Sequence, residues 1–334
     1  MSQNDLLKII DEYPLGVAAG ALANRLNISR PTLNRWLKAG CDAGLFRQSG
    51  RGPAVRYFST DPLAAITTYF LKSHTERPIA RYREETLDYV PIQLVAFPNS
   101  LPPASLSRRE MAKFLIDFAC ASSVLEGGSY SMLDTQALFN YGERNPNKPA
   151  EDAILVLNHR VAFEYLYDHP SLDSIFQVHA LLTNDHEQEA LAESDHFLTA
   201  QFRGVTREYM PVDIAFSTYS PVFRPGTGYV AKMLETVLAR SADINDPIQA
   251  AFYLMTRLPY LQPFQNGNKR TARAICNVPL LQAGLPPISF VDFTKRDYIL
   301  SLLAIYELND FRLAEKGFLD AYAKSCNRLK RPMI

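Results

Sequence analysis

The stretch Leu261 to Arg273, LQPFQNGNKRTAR, constrains the chain most. Asn266, Gly267 and Asn268 tolerate left-handed and turn conformations. Lys269 to Gln282 reads as the helix that follows, with Pro279 expected to kink it near its end. A tight turn feeding a helix start directs several backbone N–H groups into one concavity, and the helix dipole adds partial positive charge there. Lys269, Arg270 and Arg273 add three cations, the two arginines on one helix face at i, i+3. This is the chemistry of a phosphate cradle. The preceding helix, Pro247 to Leu258, is expected to end at Pro259.

The chain has 334 residues, 47% of them apolar, enough for about two domains with a real core. Formal net charge is zero, so total charge selects no partner. Its distribution does. The first 60 residues hold eight basic residues against four acidic ones, and the remainder carries the compensating negative charge. Cys41, Cys120, Cys276 and Cys326 are far apart, with no C-x-x-C spacing and no neighbouring histidine. They read as reduced thiols and indicate a cytoplasmic protein. Met1 to Ile10 has no signal-peptide pattern, and no run of about 18 apolar residues occurs, so no membrane span is expected.

The basic N-terminal segment predicts three short helices: Asn4 to Glu12, Ala18 to Leu26, and one from Ser29 to about Ala43. Ser29 is a good N-cap, and Pro31 lies in the first turn, where its missing N–H costs nothing. Leu45 to Gln48 and Val55 to Phe58 read as strands of a loose hairpin. A further helix over Asp61 to Lys72 leads into an irregular stretch, His74 to Pro103, with a short helical piece near Arg83 to Tyr89.

The rest is mainly α. Ser107 and Glu110 form a capping box at the head of a helix running to Glu126. Helices are expected over Glu151 to Tyr167, Ser171 to Leu182, Thr227 to Leu238, Phe293 to Glu307 and Leu313 to Leu329. His179 reads as a packed or capping histidine. Tyr209 to Val212 and Phe216 to Val222 alternate and predict a hairpin.

The loop resembles the signature of the Fic/Doc family, H-P-F-x-(D/E)-G-N-(G/K)-R-x-x-R, through Pro263, Phe264, Gly267, Asn268, Lys269, Arg270 and Arg273. Two positions depart: Gln262 stands at the family's histidine and Asn266 at its acid. Ser122 to Gly127, SSVLEG, resembles the family's inhibitory motif, with Ser122 and Glu126 on one helix face. The resemblance covers about residues 77–325. It implies an all-α Fic fold over 104–334 with a small flap hairpin at Tyr209 to Val222, where a target protein docks. It also implies that Glu126 pairs with Arg273 and blocks the productive pose of the ATP γ-phosphate. Residues 1–60 resemble a winged helix-turn-helix, with 61–103 as a bridge. By that resemblance Arg30, Thr32, Asn34 and Arg35 face DNA from the recognition helix, and Arg47, Arg51 and Arg56 from the wing. Winged helices also dock proteins.

In the family's AMP transfer the loop histidine takes a proton from a target hydroxyl, and the acid holds Mg²⁺ across the ATP phosphates. A glutamine cannot take that proton, and loss of a positioned base forfeits roughly 10²–10⁴ in rate. Asn266 offers a metal only a neutral carbonyl. The phosphate-binding half, Asn266 to Arg270 with Arg273, is intact, and the proton-transfer half is dismantled. The expected function is a DNA-binding regulator, a homodimer on a two-fold operator, whose degraded Fic domain takes ATP or another nucleotide. The alternatives are an AMP transferase using ATP with Mg²⁺ and restrained by Glu126, a phosphate transferase of the Doc type, suggested by Lys269, and a protein–protein adaptor.

Overall fold

The computed structural model describes residues 3–13, 16–92, 106–186 and 196–329. The chain forms two units, one of Met1–Ala80, Ile214–Tyr219 and Leu303–Leu313, the other of Arg81–Asp213, Ser220–Leu302 and Ala314–Ile334.

The first unit opens with α1 (Gln3–Asp11), α2 (Ala19–Leu26) and α3 (Arg30–Asp42). Ser29 caps α3 by accepting from the Thr32 N–H, with Pro31 in the first turn. Two strands follow, β1 (Phe46–Ser49) and β2 (Arg56–Ser59), antiparallel with Phe46 opposite Ser59 and Ser49 opposite Arg56. Leu6, Ile10, Leu22, Leu26, Leu33, Leu37 and Phe46 make one buried core. Each large side chain removed from water there contributes about 1.5–3 kcal/mol. Gly40 sits mid-helix because a Cβ would stand 2.0 Å from the Phe46 ring.

In α4 (Pro62–Phe70), capped by Asp61, Ile66 and Tyr69 pack against Ala304 and Leu308. Beside them Arg77 and Glu307 form a buried ion pair, N···O 2.8 Å. This pair explains why the expected hairpin over Tyr209 to Val222 is absent. Arg77 donates to the Phe216 carbonyl, 2.6 Å, and Glu307 accepts from Ser217 Oγ and from the Thr218 N–H, both at 3.0 Å. Side chains thus take main-chain groups that a hairpin partner would have used. Among the described residues the only strand in that stretch is β4 (Tyr219–Ser220); its mate is β3 (Ala80–Arg81), where the Ala80 N–H donates to Thr218 O. The His74–Pro103 lead-in is described as far as residue 92 and holds 3-10 turns at His74–Glu76 and Glu84–Leu87. Its remainder lies outside the described residues.

The second unit is helical. α5 (Arg108–Glu126) begins at the Ser107–Glu110 capping box and ends at Gly127, in the left-handed region. α6 (Met132–Tyr141), not among the expected helices, has its own box: Ser131 caps it and Asp134 reaches back. α7 (Ala150–Asp168) packs on α5 through Phe163, whose ring centroid lies 4.6 Å from Phe114 and 4.8 Å from Phe118. α8 (Ile175–Leu182) follows a 3-10 turn, and α9 (Tyr229–Ala242) precedes the central helix α10 (Pro247–Leu261). Every residue of α10 from Ala250 to Leu261 is buried, the mark of a helix enclosed on all sides.

One proline expectation needs correction. Pro259 does not end α10, which runs on to Leu261; complete burial outweighs the one lost hydrogen bond. Pro279 does interrupt the following helix, in the turn before its own position. That helix divides into α11 (Asn268–Ile275) and α12 (Asn277–Gln282) around Cys276. The Pro279 ring opposes the carbonyl four residues back, at Ile275, so the break falls there, and Pro279 sits in the first turn of α12. α13 (Lys295–Leu308) and α14 (Arg312–Leu329) complete the chain. Among the described residues no helix is long and apolar enough to cross a membrane.

Candidate functional site

α10 delivers the chain to Gln262, which ends the helix in the left-handed region at φ 52°. Pro263 has no N–H, so the Pro259 carbonyl lacks its helical donor. The Gln262 side chain supplies one, Nε2 to Pro259 O at 2.7 Å. Its Oε1 accepts from Asn268 Nδ2, also at 2.7 Å. Asn268 in turn accepts from the Phe264 N–H and donates to the Phe264 carbonyl, both 2.8 Å. This chain of bonds fixes which end of each amide is oxygen. Gln262 and Asn268 are buried. The carboxamide at the histidine position is therefore used at both ends to hold the loop.

Gly267 makes the turn at φ 74°, and a Cβ there would stand 2.6 Å from Thr183 Cγ2. Asn266 is half-buried and its Oδ1 accepts from the Gly267 N–H. Phe264 is fully buried and stacks on His179, centroids 3.9 Å apart. His179 Nδ1 accepts from the Gly204 N–H at 2.8 Å, which leaves Nε2 to donate to Asn266 O at 3.0 Å. Burial pushes its pKa down to about 4, more than the bond to Asn266 restores. Neutral and with both nitrogens occupied, His179 pins the loop and is no substitute base. His159, whose Nδ1 faces Leu155 O at 2.7 Å, is also pushed down by burial, to about 3.

The three loop cations lie in one cluster with Glu126. Arg273 is wholly buried; Nε donates to Ser122 Oγ, 2.9 Å, and Nη2 to Ser122 O, 3.1 Å, and to Glu126 Oε1, 2.7 Å. Lys269 Nζ lies 3.1 Å from Glu126 Oε2. Arg270, also buried, donates to Leu182 O at 3.0 Å. Burial would raise the Glu126 pKa, but Lys269, Arg273 and Arg270 hold it well below the usual carboxylate range. Arg270, desolvated and without its own carboxylate, is pushed down to about 10.

Arg207 went unread in the sequence and is the main tie behind the loop. Its Nε donates to Gln262 O, 2.5 Å, and Nη2 to Val222 O, 2.7 Å, and Leu261 O, 3.4 Å; its N–H reaches Pro263 O at 2.9 Å. A buried guanidinium thus covers the carbonyl end of α10, where the helix dipole favours a cation. Tyr298 and Lys295 were also missed. The Tyr298 ring lies 5.1 Å from Arg273 Cζ, and a Cβ at Gly127 would meet Lys295 Nζ at 2.8 Å. No local motif marks these three, because all meet the site through tertiary packing.

The residues present do not suit a resident Mg²⁺. Asn266 offers one neutral oxygen already accepting a bond, Glu126 is paired twice, and no group of three or more acids, histidines or cysteines gathers among the described residues.

In the first unit Arg30, Asn34, Arg35, Arg47, Arg51 and Arg56 are exposed and Thr32 is half-buried. Arg47 lies over the Phe58 ring at 4.4 Å, and Arg56 donates to Gly16 O at 3.3 Å.

Residues 169–280, which contain α8 to α11 and the loop, match the family model described as Fic/DOC family. The chain carries a Fic/DOC family domain. It is 25% identical over 226 residues to protein adenylyltransferase fic-1 of Caenorhabditis elegans, covering 64% of this chain and 41% of that protein. It is 24% identical over 212 residues to protein adenylyltransferase Fic of Nematostella vectensis, 60% of this chain and 45% of that one. The chain therefore spans less than half the length of these relatives. The solved structure of C. elegans Fic-1 superposes with TM-score 0.51 at 23% identity, covering 66% of this chain and 63% of that one. A Fic domain containing signalling protein from Bacteroides thetaiotaomicron gives 0.51 at 20%, covering 67% and 90%. These two structures share its fold.

Proposed function

We propose that this Fic-family protein is a regulator whose Fic domain binds ATP or a related nucleotide without transferring any part of it. The observation that carries this reading is the double tie on Gln262. The group at the base position cannot accept a proton, and its amide is bound to Pro259 and Asn268. The backbone turn, Lys269, Arg270 and Arg273 remain to hold phosphates. The basic, exposed face of α3 and the β1–β2 hairpin supports DNA as the partner of the N-terminal segment, with the nucleotide as effector and a cytoplasmic homodimer as the acting form.

A titration of the full chain with ATP, followed by incubation with ATP labelled at the α- or γ-phosphate, tests the first part. Binding without label transfer is expected for wild type and for Glu126→Gly. Transfer by either overturns the reading. A gel shift on the gene's upstream region, with and without ATP, tests the second; no shift at modest salt under either condition removes DNA from the proposal.

One observation favours a second reading, a protein adenylyltransferase held shut by Glu126, with its target docking near Tyr209 to Val222. The Glu126–Arg273 pair persists, and a lock has use only where something is restrained. The named relatives are adenylyltransferases. A Doc-like phosphate transfer would show in the γ-label instead of the α-label.

A further inference from the structure

The pairing implied by the family resemblance joins Glu126 to Arg273 alone. Here the carboxylate bridges two cations, one oxygen to each: Oε1 to Arg273 Nη2 at 2.7 Å and Oε2 to Lys269 Nζ at 3.1 Å. With Arg270 alongside, three cations face one carboxylate. The carboxylate and the two arginines are withdrawn from water, with side-chain exposure 0% for Arg273 and 9% for Glu126, while Lys269 stands at the solvent edge, 37% exposed. Uncompensated buried charge is costly, so the cluster favours a more highly charged anion than a carboxylate. Arg273 supplies a further donor for it. Its Nη1 is buried and completes no hydrogen bond, although the Tyr298 hydroxyl lies close by.

We propose that Lys269 is a specificity-determining residue with two alternative partners. It holds Glu126 when the site is shut and a dianionic phosphoryl group when the site is filled. A phosphoryl dianion presents two charged oxygens, as the carboxylate does, and adds a third for Nη1 and a second negative charge for the cluster. A singly charged phosphodiester or carboxylate gains neither, so it does not displace Glu126. This deepens the nucleotide-binding reading and rests on it.

The test is calorimetric titration of the full chain with ADP, and with its β-methyl ester, whose terminal phosphorus carries one charge. Wild type, Glu126→Gln, Lys269→Met and the double variant are compared, with near-ultraviolet circular dichroism to establish that each is folded. Glu126→Gln should bind ADP more tightly than wild type. Lys269→Met should weaken ADP at least tenfold in the Glu126→Gln background, and by a factor at least five times smaller where Glu126 is retained, because there it also frees the lock. The ester should bind the Glu126→Gln variant at least tenfold more weakly than ADP does. Equal losses in the two backgrounds, or no preference for ADP over its ester, overturn the role of Lys269 while leaving nucleotide binding standing. Failure of the Glu126→Gln variant to bind ADP at all overturns both.

Discussion

Gln262→Met separates a structural amide from a chemical one. Methionine keeps the length and volume of glutamine and removes two buried bonds, Nε2 to Pro259 O and Asn268 Nδ2 to Oε1, both 2.7 Å. Neutral hydrogen bonds contribute about 1 kcal/mol each, and a buried group left unpaired costs about 1–3 kcal/mol. Asn268 keeps its bond to Phe264 O. The Pro259 carbonyl has no such reserve, because the residue that should donate to it is Pro263. The loss should be about 2–3 kcal/mol. For a unit of this size that is a fall of about 4–10 °C in its calorimetric transition. Asn268→Ala in a double-mutant cycle should show coupling above about 0.5 kcal/mol. Gln262→His, which can replace one bond at most, should fall between wild type and Gln262→Met. If Gln262→Met melts within about a degree of wild type, the amide is not spent on the fold and the case against its taking part in chemistry loses its basis.

Three further outcomes follow from the packing. His179 and His159 are neutral when folded, with pKa pushed by burial from 6.5 to about 4 and about 3, and take up protons on unfolding. Stability should therefore fall as pH drops from about 6.5 towards 4, by about 1.4 kcal/mol per pH unit for each histidine; denaturant titrations at stepped pH, repeated on His179→Gln, measure the slope, which should become shallower in the variant. Arg207→Lys keeps the charge but cannot span three carbonyls, and should cost about 1.5–3 kcal/mol, read by calorimetry and by weakened ATP binding. Gly40→Ala places a methyl inside the Phe46 ring and should cost about 1–3 kcal/mol, reported by the fluorescence of Trp36, which packs on that core.

Much of the helical frame is legible in the sequence because its signals are local. Ser107 with Glu110, Ser29 with Pro31, and Asp246 before Pro247 each announce a helix within four residues. α6 shows that the same signal can be passed over, since Ser131 and Asp134 spell its start. Where the reading failed, a distant group had taken over a local one. Alternation from Phe216 to Val222 suggests a strand, but Arg77 and Glu307 claim its main-chain groups. Pro259 suggests a stop, but α10 is enclosed by protein on every side. At the site the cations and Glu126 were legible as a motif. Their arrangement was not, because which oxygen meets which nitrogen depends on how α5 lies against α11. Arg207 and His179 carry no motif at all; each matters through the carbonyls and amides it reaches.

Arg207 also bears on time. By holding Val222 together with Leu261 and Gln262 it removes the freedom of the loop to shift independently of the segment before α9. Opening the cluster then falls to the Glu126 and Lys269 side chains. Lys269 is partly exposed, but Glu126 is buried in two ion pairs, so the slow event is the parting of those pairs and not a movement of the backbone. The gate is therefore set in side chains on a stationary frame, and the rate at which an anion enters should rise when those pairs are weakened, with no lag from the backbone.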